Sequence, residues 1–145
     1  MIWFKDYRLD DLKSFRNTNM TAHLGFEFTE VGPDFLKGRL PVDNRTTQPF
    51  GILHGGASCV LAESLGSVAS WMTIDPDKYR AVGIEINANH LRAVSRGVIT
   101  VEARPLHSGR TMSVWKIDIT NDRDKLICTS RLTMLIQKRV AYRPE

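Results

Sequence analysis

The run from Gly55 to Met72, GGASCVLAESLGSVASWM, limits what this chain can fold into more than any other stretch. It is long enough for about five helical turns. Ala57, Leu61, Leu65, Val68 and Met72 recur at helical spacing and make one apolar seam that must face a core. From Thr46 to Ile74 the only formally charged side chain is Glu63; His54 and Cys59 are the other titratable groups. At about 100° per residue Glu63 lies roughly 200° from Leu61, well off the seam. It shares a stripe with Gly56, Cys59, Val60, Gly66, Ser67 and Ser70. A solvated helix face would carry Lys–Glu pairs. Small residues instead suggest that another surface comes close, as a second subunit would.

The start of this helix points to chemistry. His54-Gly55-Gly56 follows a loop, 43–54, rich in turn formers. Unpaired N–H groups and the positive end of the helix dipole belong there. Glycines let a ligand approach such a backbone closely, and the N–H groups can polarise a carbonyl oxygen. Glu63 lies eight residues on, about 12 Å along the same axis. It cannot reach a carbonyl held at its own helix start. An antiparallel helix from a neighbouring chain would bring Glu63 of one copy beside Gly55 of the other. Blander readings stand beside this one: Glu63 as a solvated acid, His54 as a cap, Gly55-Gly56 as loop punctuation, and Gln48, before Pro49, as a loop tie.

The flanking sequence predicts a short helix over 9–18 and a hairpin over 24–42 that turns at Gly32-Pro33-Asp34. In its second arm Leu36, Gly38, Leu40 and Val42 share a face. After the exit at Asp75-Pro76-Asp77, strands are expected over 81–92, 97–107, 111–121 and 125–137. Alternation is clear in Val82-Ile84-Ile86-Ala88 and in Trp115-Ile117-Ile119. Such an order argues for an α+β chain in which one helix packs on an antiparallel sheet.

With 145 residues and 42% hydrophobic composition, one domain with its own core is expected. The net charge of +4 is spread along the chain with no arginine-rich stripe, which argues against nucleic acid. No apolar run reaches membrane-spanning length, and MIWFKDYRLDDLK does not read as a signal peptide. Cys59 and Cys128 match no metal-ligand spacing. A cytoplasmic enzyme without metal or cofactor is the expectation.

The segment PVDNRTTQPFGILHGGASCVLAESLGSVAS (41–70), together with VGIEINANHLR (82–92), PLHSGR (105–110) and CTSRLT (128–133), resembles the hotdog-fold acyl-CoA thioesterases. It is most similar to the aryl-CoA subgroup, which holds the 1,4-dihydroxy-2-naphthoyl-CoA hydrolases and the proofreading thioesterases of enterobactin synthesis. The resemblance runs to about residue 137. It implies a single hotdog domain over 1–145, with one long central helix wrapped by an antiparallel β-sheet. Residues 138–145 form an extension with no assigned role. Two chains would pair with their sheets joined and their active sites at the interface, and two such dimers would make a homotetramer.

By the same resemblance, Glu63 is the nucleophile or general base and the Gly55 N–H polarises the thioester oxygen. Gln48 and His54 lie beside the acyl carbonyl or leaving sulfur, and Ser67 orients the water or the acid. Coenzyme A is expected near Gly83, His90, Leu91, Arg92 and Ala93, and near the turn His107, Ser108, Gly109, Arg110, Thr111 and Met112. Val68 and Trp71, with Phe50 and Met72, could line an aromatic acyl pocket, although core packing suits Met72 better. The implied reaction is hydrolysis of an aryl-CoA thioester, with 1,4-dihydroxy-2-naphthoyl-CoA of menaquinone synthesis the leading candidate. Carrier-protein proofreading, a hotdog dehydratase or hydratase, and a non-catalytic acyl-CoA sensor are the alternatives.

Overall fold

In the computed structural model, which describes residues 1–16 and 19–139, the 55–72 run forms one helix, and a six-stranded antiparallel sheet wraps it. The chain opens with a 3₁₀ helix, Leu9–Arg16, and a short helix α1, Met20–Leu24. Strands β1 (Glu27–Val31) and β2 (Leu36–Val42) follow, then the long helix α2 (Gly55–Met72). Strands β3 (Tyr79–His90), β4 (Gly97–Ser108), β5 (Met112–Thr120) and β6 (Leu126–Lys138) complete the sheet. The strand order is β1-β2-β4-β5-β6-β3, which leaves the twelve-residue β3 on an edge. This is the expected hotdog arrangement. No helix among the described residues is long and apolar enough to cross a membrane.

The helix seam is buried as its spacing requires: Ala57, Leu61, Leu65, Val68 and Met72 all lie in the core. They meet the inward row of β5, where Trp115, Ile117 and Ile119 have no exposed surface. Leu36, Leu40 and Val42 of β2 also point inward, as their parity predicts. The N-terminal segment closes the far end. Trp3 stacks parallel on Trp115 with ring centroids 6.3 Å apart, and the Phe4 N–H bonds the carbonyl of Met72, a helix-end acceptor otherwise left without a partner.

Four expectations need correction. The first hairpin strand begins at Glu27, because 20–24 is helical. Asn19 caps that helix by accepting the Ala22 N–H, and Gly25 ends it at φ +81°, a conformation that favours glycine. The helix expected over 9–18 is 3₁₀ and runs to Arg16; positions 17–18 lie outside the described residues, as do 140–145 of the C-terminal extension. β3 ends at His90, so Leu91, Arg92 and Ala93 stand in irregular chain.

The fourth correction concerns the faces of β3. A bulge between Gly83 and Glu85 shifts its register against β6, so Gly83 pairs with the buried Met134 and Ile86 with the buried Leu132. Val82 pairs with the exposed Leu135 and lies outward. The alternation read through Val82 and Ile84 therefore breaks, because one extra residue reverses every side chain on one side of it.

Candidate active site

Three of the first N–H groups of α2 are satisfied by a single residue. His54, the N-cap, accepts the Gly56 N–H on its Nδ1 at 2.7 Å, and its carbonyl takes those of Ala57 at 2.9 Å and Ser58 at 3.3 Å. The Gly55 N–H has no such partner among the described residues. Gly55 lines a cleft of about 360 Å³ with Gln48, Ser58, His90, Leu91, Arg92 and Ala93. A Cβ on Gly55 would stand 2.9 Å from His90 Nε2, so the bare Cα lets the imidazole ring sit against the helix start. An unpaired N–H at the positive end of a helix is a ready donor to a carbonyl oxygen.

The loop before the helix is held by its own backbone. The His54 N–H bonds Thr46 O, the Gln48 N–H bonds Ile52 O, and the Leu53 N–H bonds Val94 O. Gln48 Oε1 accepts the Phe50 N–H. That fixes the amide and leaves its NH₂ to donate. Gln48 is thus both a loop tie and a cleft residue. His54 is a cap, and with Nδ1 as acceptor the neutral ring carries its proton on Nε2. Phe50, offered as pocket wall, stands 89% exposed away from the cleft.

Glu63 opens into a different cleft. This one holds about 450 Å³ and is lined by Phe15, Met20, Phe28, Val68, Trp71 and Ala81, with Ser64 and Ser67 beside the acid. Burial raises the Glu63 carboxyl above its ordinary value. The Ser67 hydroxyl, one turn on, meets Met134 Sδ at 3.8 Å. Phe15 packs edge-on against Trp71 with centroids 5.0 Å apart. Val68 and Trp71 line this cleft, whereas Met72 is core. Phe15, Met20 and Phe28 were missed, since residues distant in sequence from the helix gave no local signal. The small-residue stripe also needs correction: Gly66 faces Leu132, and Ser70 shares a hydrogen bond of 3.0 Å with Ser113, so both are covered by the chain's own sheet.

The two clefts share no lining residue. Within one chain the donors and the acid are apart, as about 12 Å of helix requires. The third expected region lies elsewhere again. Ser108, Gly109 and Arg110 border a hollow with Thr73, Ile74 and Tyr79, near the C-terminal end of α2 and about 27 Å from its start. His107 lies against Gly109, Thr111 bonds the Ile136 N–H, and Met112 is exposed opposite Leu135. Gly83 faces Glu63. Among the described residues no group of three His, Cys, Asp or Glu side chains could hold a metal ion. Burial, with Cys59 and Asp118 nearby, pushes the Cys128 thiol up to about 11, far from a ready nucleophile.

A family model described as the thioesterase superfamily matches residues 50–128. A 1,4-dihydroxy-2-naphthoyl-CoA hydrolase of Escherichia coli is 45% identical over 136 residues, covering 94% of this chain and 99% of its own length. A proofreading thioesterase EntH of Cronobacter turicensis is also 45% identical over 136 residues, covering 94% and 98%. Among solved structures, a mutant of thioesterase PA1618 from Pseudomonas aeruginosa superposes with a TM-score of 0.93 at 43% identity, over 96% of this chain and all of that one.

Proposed function

The chain belongs to the thioesterase superfamily and is a thioester hydrolase, and we propose that it cuts an aryl-CoA thioester at a site shared between two copies of the chain. The observation that carries this reading is the separation of the two clefts on α2. Gln48 and the Gly55 N–H stand at one end, and Glu63 stands about 12 Å along, in the other cleft. Antiparallel pairing of two helices completes both sites at once. The β3 edge favours such pairing: it is long, has no neighbouring strand on one side among the described residues, and shows Val82 and Ile84 to solvent. Two such dimers would associate further into a tetramer.

In this reading the Gly55 N–H and the Gln48 amide polarise the thioester oxygen, and Glu63 of the other copy attacks the carbonyl carbon or takes a proton from an attacking water. The C–S bond breaks, the thiolate is protonated, and one water is consumed to give free acid and CoA. In the same reading the His54 Nε2–H would donate toward the carbonyl or the leaving sulfur, and Ser67 would orient the water or the acid. A thioester needs little more than donors and one carboxylate, because its carbonyl is electrophilic and the thiolate leaves readily. Phe15, Phe28 and Trp71 offer an aromatic acyl group flat and edge contacts. Arg92, beside Gly55, and Arg110, near the other end of α2, would supply charge for the CoA phosphates from different copies of the chain.

The leading substrate is 1,4-dihydroxy-2-naphthoyl-CoA, which would put the reaction in menaquinone synthesis. The equal identity to a proofreading thioesterase favours a second reading, an aryl carrier-protein thioester. Thiol release from aryl-CoA, straight-chain acyl-CoA and aryl carrier-protein thioesters tests both, with Glu63→Ala alongside. Fastest release from an aryl-CoA, lost in the variant, supports the first reading. A preference for the carrier protein moves the assignment to the second. Binding without thiol release overturns both.

A further inference from the structure

The bulge in β3 decides which residue of that strand meets Glu63. Continued inward alternation from Ala88 and Ile86 would bring Ile84 against the helix; the bulge brings Gly83. A Cβ on Gly83 would collide with Glu63 Oε1, with the carboxyl carbon 3.3 Å and Oε2 3.7 Å away. Glu63 makes no hydrogen bond or ion pair with any described residue. One turn along α2, Ser67 meets Met134, and Met134 is the register partner of Gly83. The acid and the serine therefore rest on one strand pair.

We infer that Gly83 is a positioning residue, whose missing side chain forms the seat of the Glu63 carboxylate. The inference rests on the reading of Glu63 as the reactive acid, and it differs from a contact to the coenzyme. Glycine inside a strand commonly marks a close approach by another group, and bulges beside active sites re-aim side chains. A small displacement of a reacting group is enough to lose much of the rate.

The test is steady-state hydrolysis of an aryl-CoA by this chain and its Gly83→Ala, Glu63→Asp and double variants, with Glu63→Ala as reference. Gly83→Ala is expected to lower kcat by about 10²-fold with KM within about twofold. Its acid limb of kcat should move, because the displaced carboxylate has different burial. Glu63→Asp draws the acid back by one methylene, so it should cost less in the Gly83→Ala background than in the wild type. A kcat within about threefold of wild type, a loss carried by KM, or additive effects in the double variant would each overturn the inference. If Gly83→Ala does not fold, the double variant should, since the shorter acid makes room; equal failure of both overturns the seat. Full turnover by Glu63→Ala sinks the role of Glu63 itself, whereas a dead Glu63→Ala beside an unaffected Gly83→Ala sinks only the seat.

Discussion

His54 Nδ1 accepts the N–H of Gly56 at 2.7 Å, and with the His54 carbonyl holding Ala57 and Ser58, the Gly55 N–H is the one left over at the helix start. One residue thus closes the helix start and leaves its neighbour's N–H open to a ligand. The cap seen for His54 and the donor role proposed for it are compatible, since capping uses Nδ1 and leaves Nε2–H to donate.

Two substitutions separate those roles. His54→Ala should cost about 1 kcal/mol of stability through the lost cap. His54→Asn should keep most of that stability, because asparagine is a good N-cap, and still lose activity if Nε2–H matters. Thermal melts beside kcat for both variants decide it. Equal activity of His54→Asn and wild type would confine His54 to structure.

Burial raises the Glu63 carboxyl, and activity that needs the carboxylate should fall on the acid side at a pH above the ordinary Glu range. The sign for stability follows from proton binding. Between the unfolded value and the raised folded value the native state holds more protons, so stability falls as pH rises through that window. Glu63→Gln should therefore melt higher than wild type near pH 7, with the gap closing as pH drops towards the unfolded value. Turnover should vanish in the same variant. An unchanged melting difference across pH would remove the desolvation argument.

A shared site predicts complementation. Glu63→Ala and Gln48→Ala chains are each impaired, the second by about 10²-fold or less. Mixed and reassociated one to one, they form heterodimers in which one site is intact, and activity should recover to roughly a quarter of wild type by statistical pairing. No recovery, despite heterodimers seen by native mass spectrometry, would place each site within one chain.

The cleft beside Glu63 is walled by Phe15 from the 3₁₀ helix and Trp71 from α2. Removing the Phe15 ring should lower kcat/KM for an aryl-CoA by about 10–200-fold while straight-chain acyl-CoA loses less. The ratio of the two specificity constants is the measurement. A uniform loss on both substrates would make Phe15 a packing residue only.

The sequence determined the long helix, its seam, the inward rows of β2 and β5, and the contrast between one lone acid and a His-Gly-Gly helix start. These follow from local periodicity and from turn and cap chemistry, which each segment carries within itself. Tertiary structure decided the rest. Val82 and Ile84 lost their predicted face because a bulge is a property of the β3–β6 pairing, invisible in either strand alone. Gly66 and Ser70 looked like part of an open stripe until the sheet closed over them. Phe15 and Met20 reach the Glu63 cleft only because the N-terminal segment folds back across the helix. Gly83 could be singled out as a glycine from the sequence, but its job depends on what stands opposite, and only the packing of α2 against β3 puts a carboxylate there.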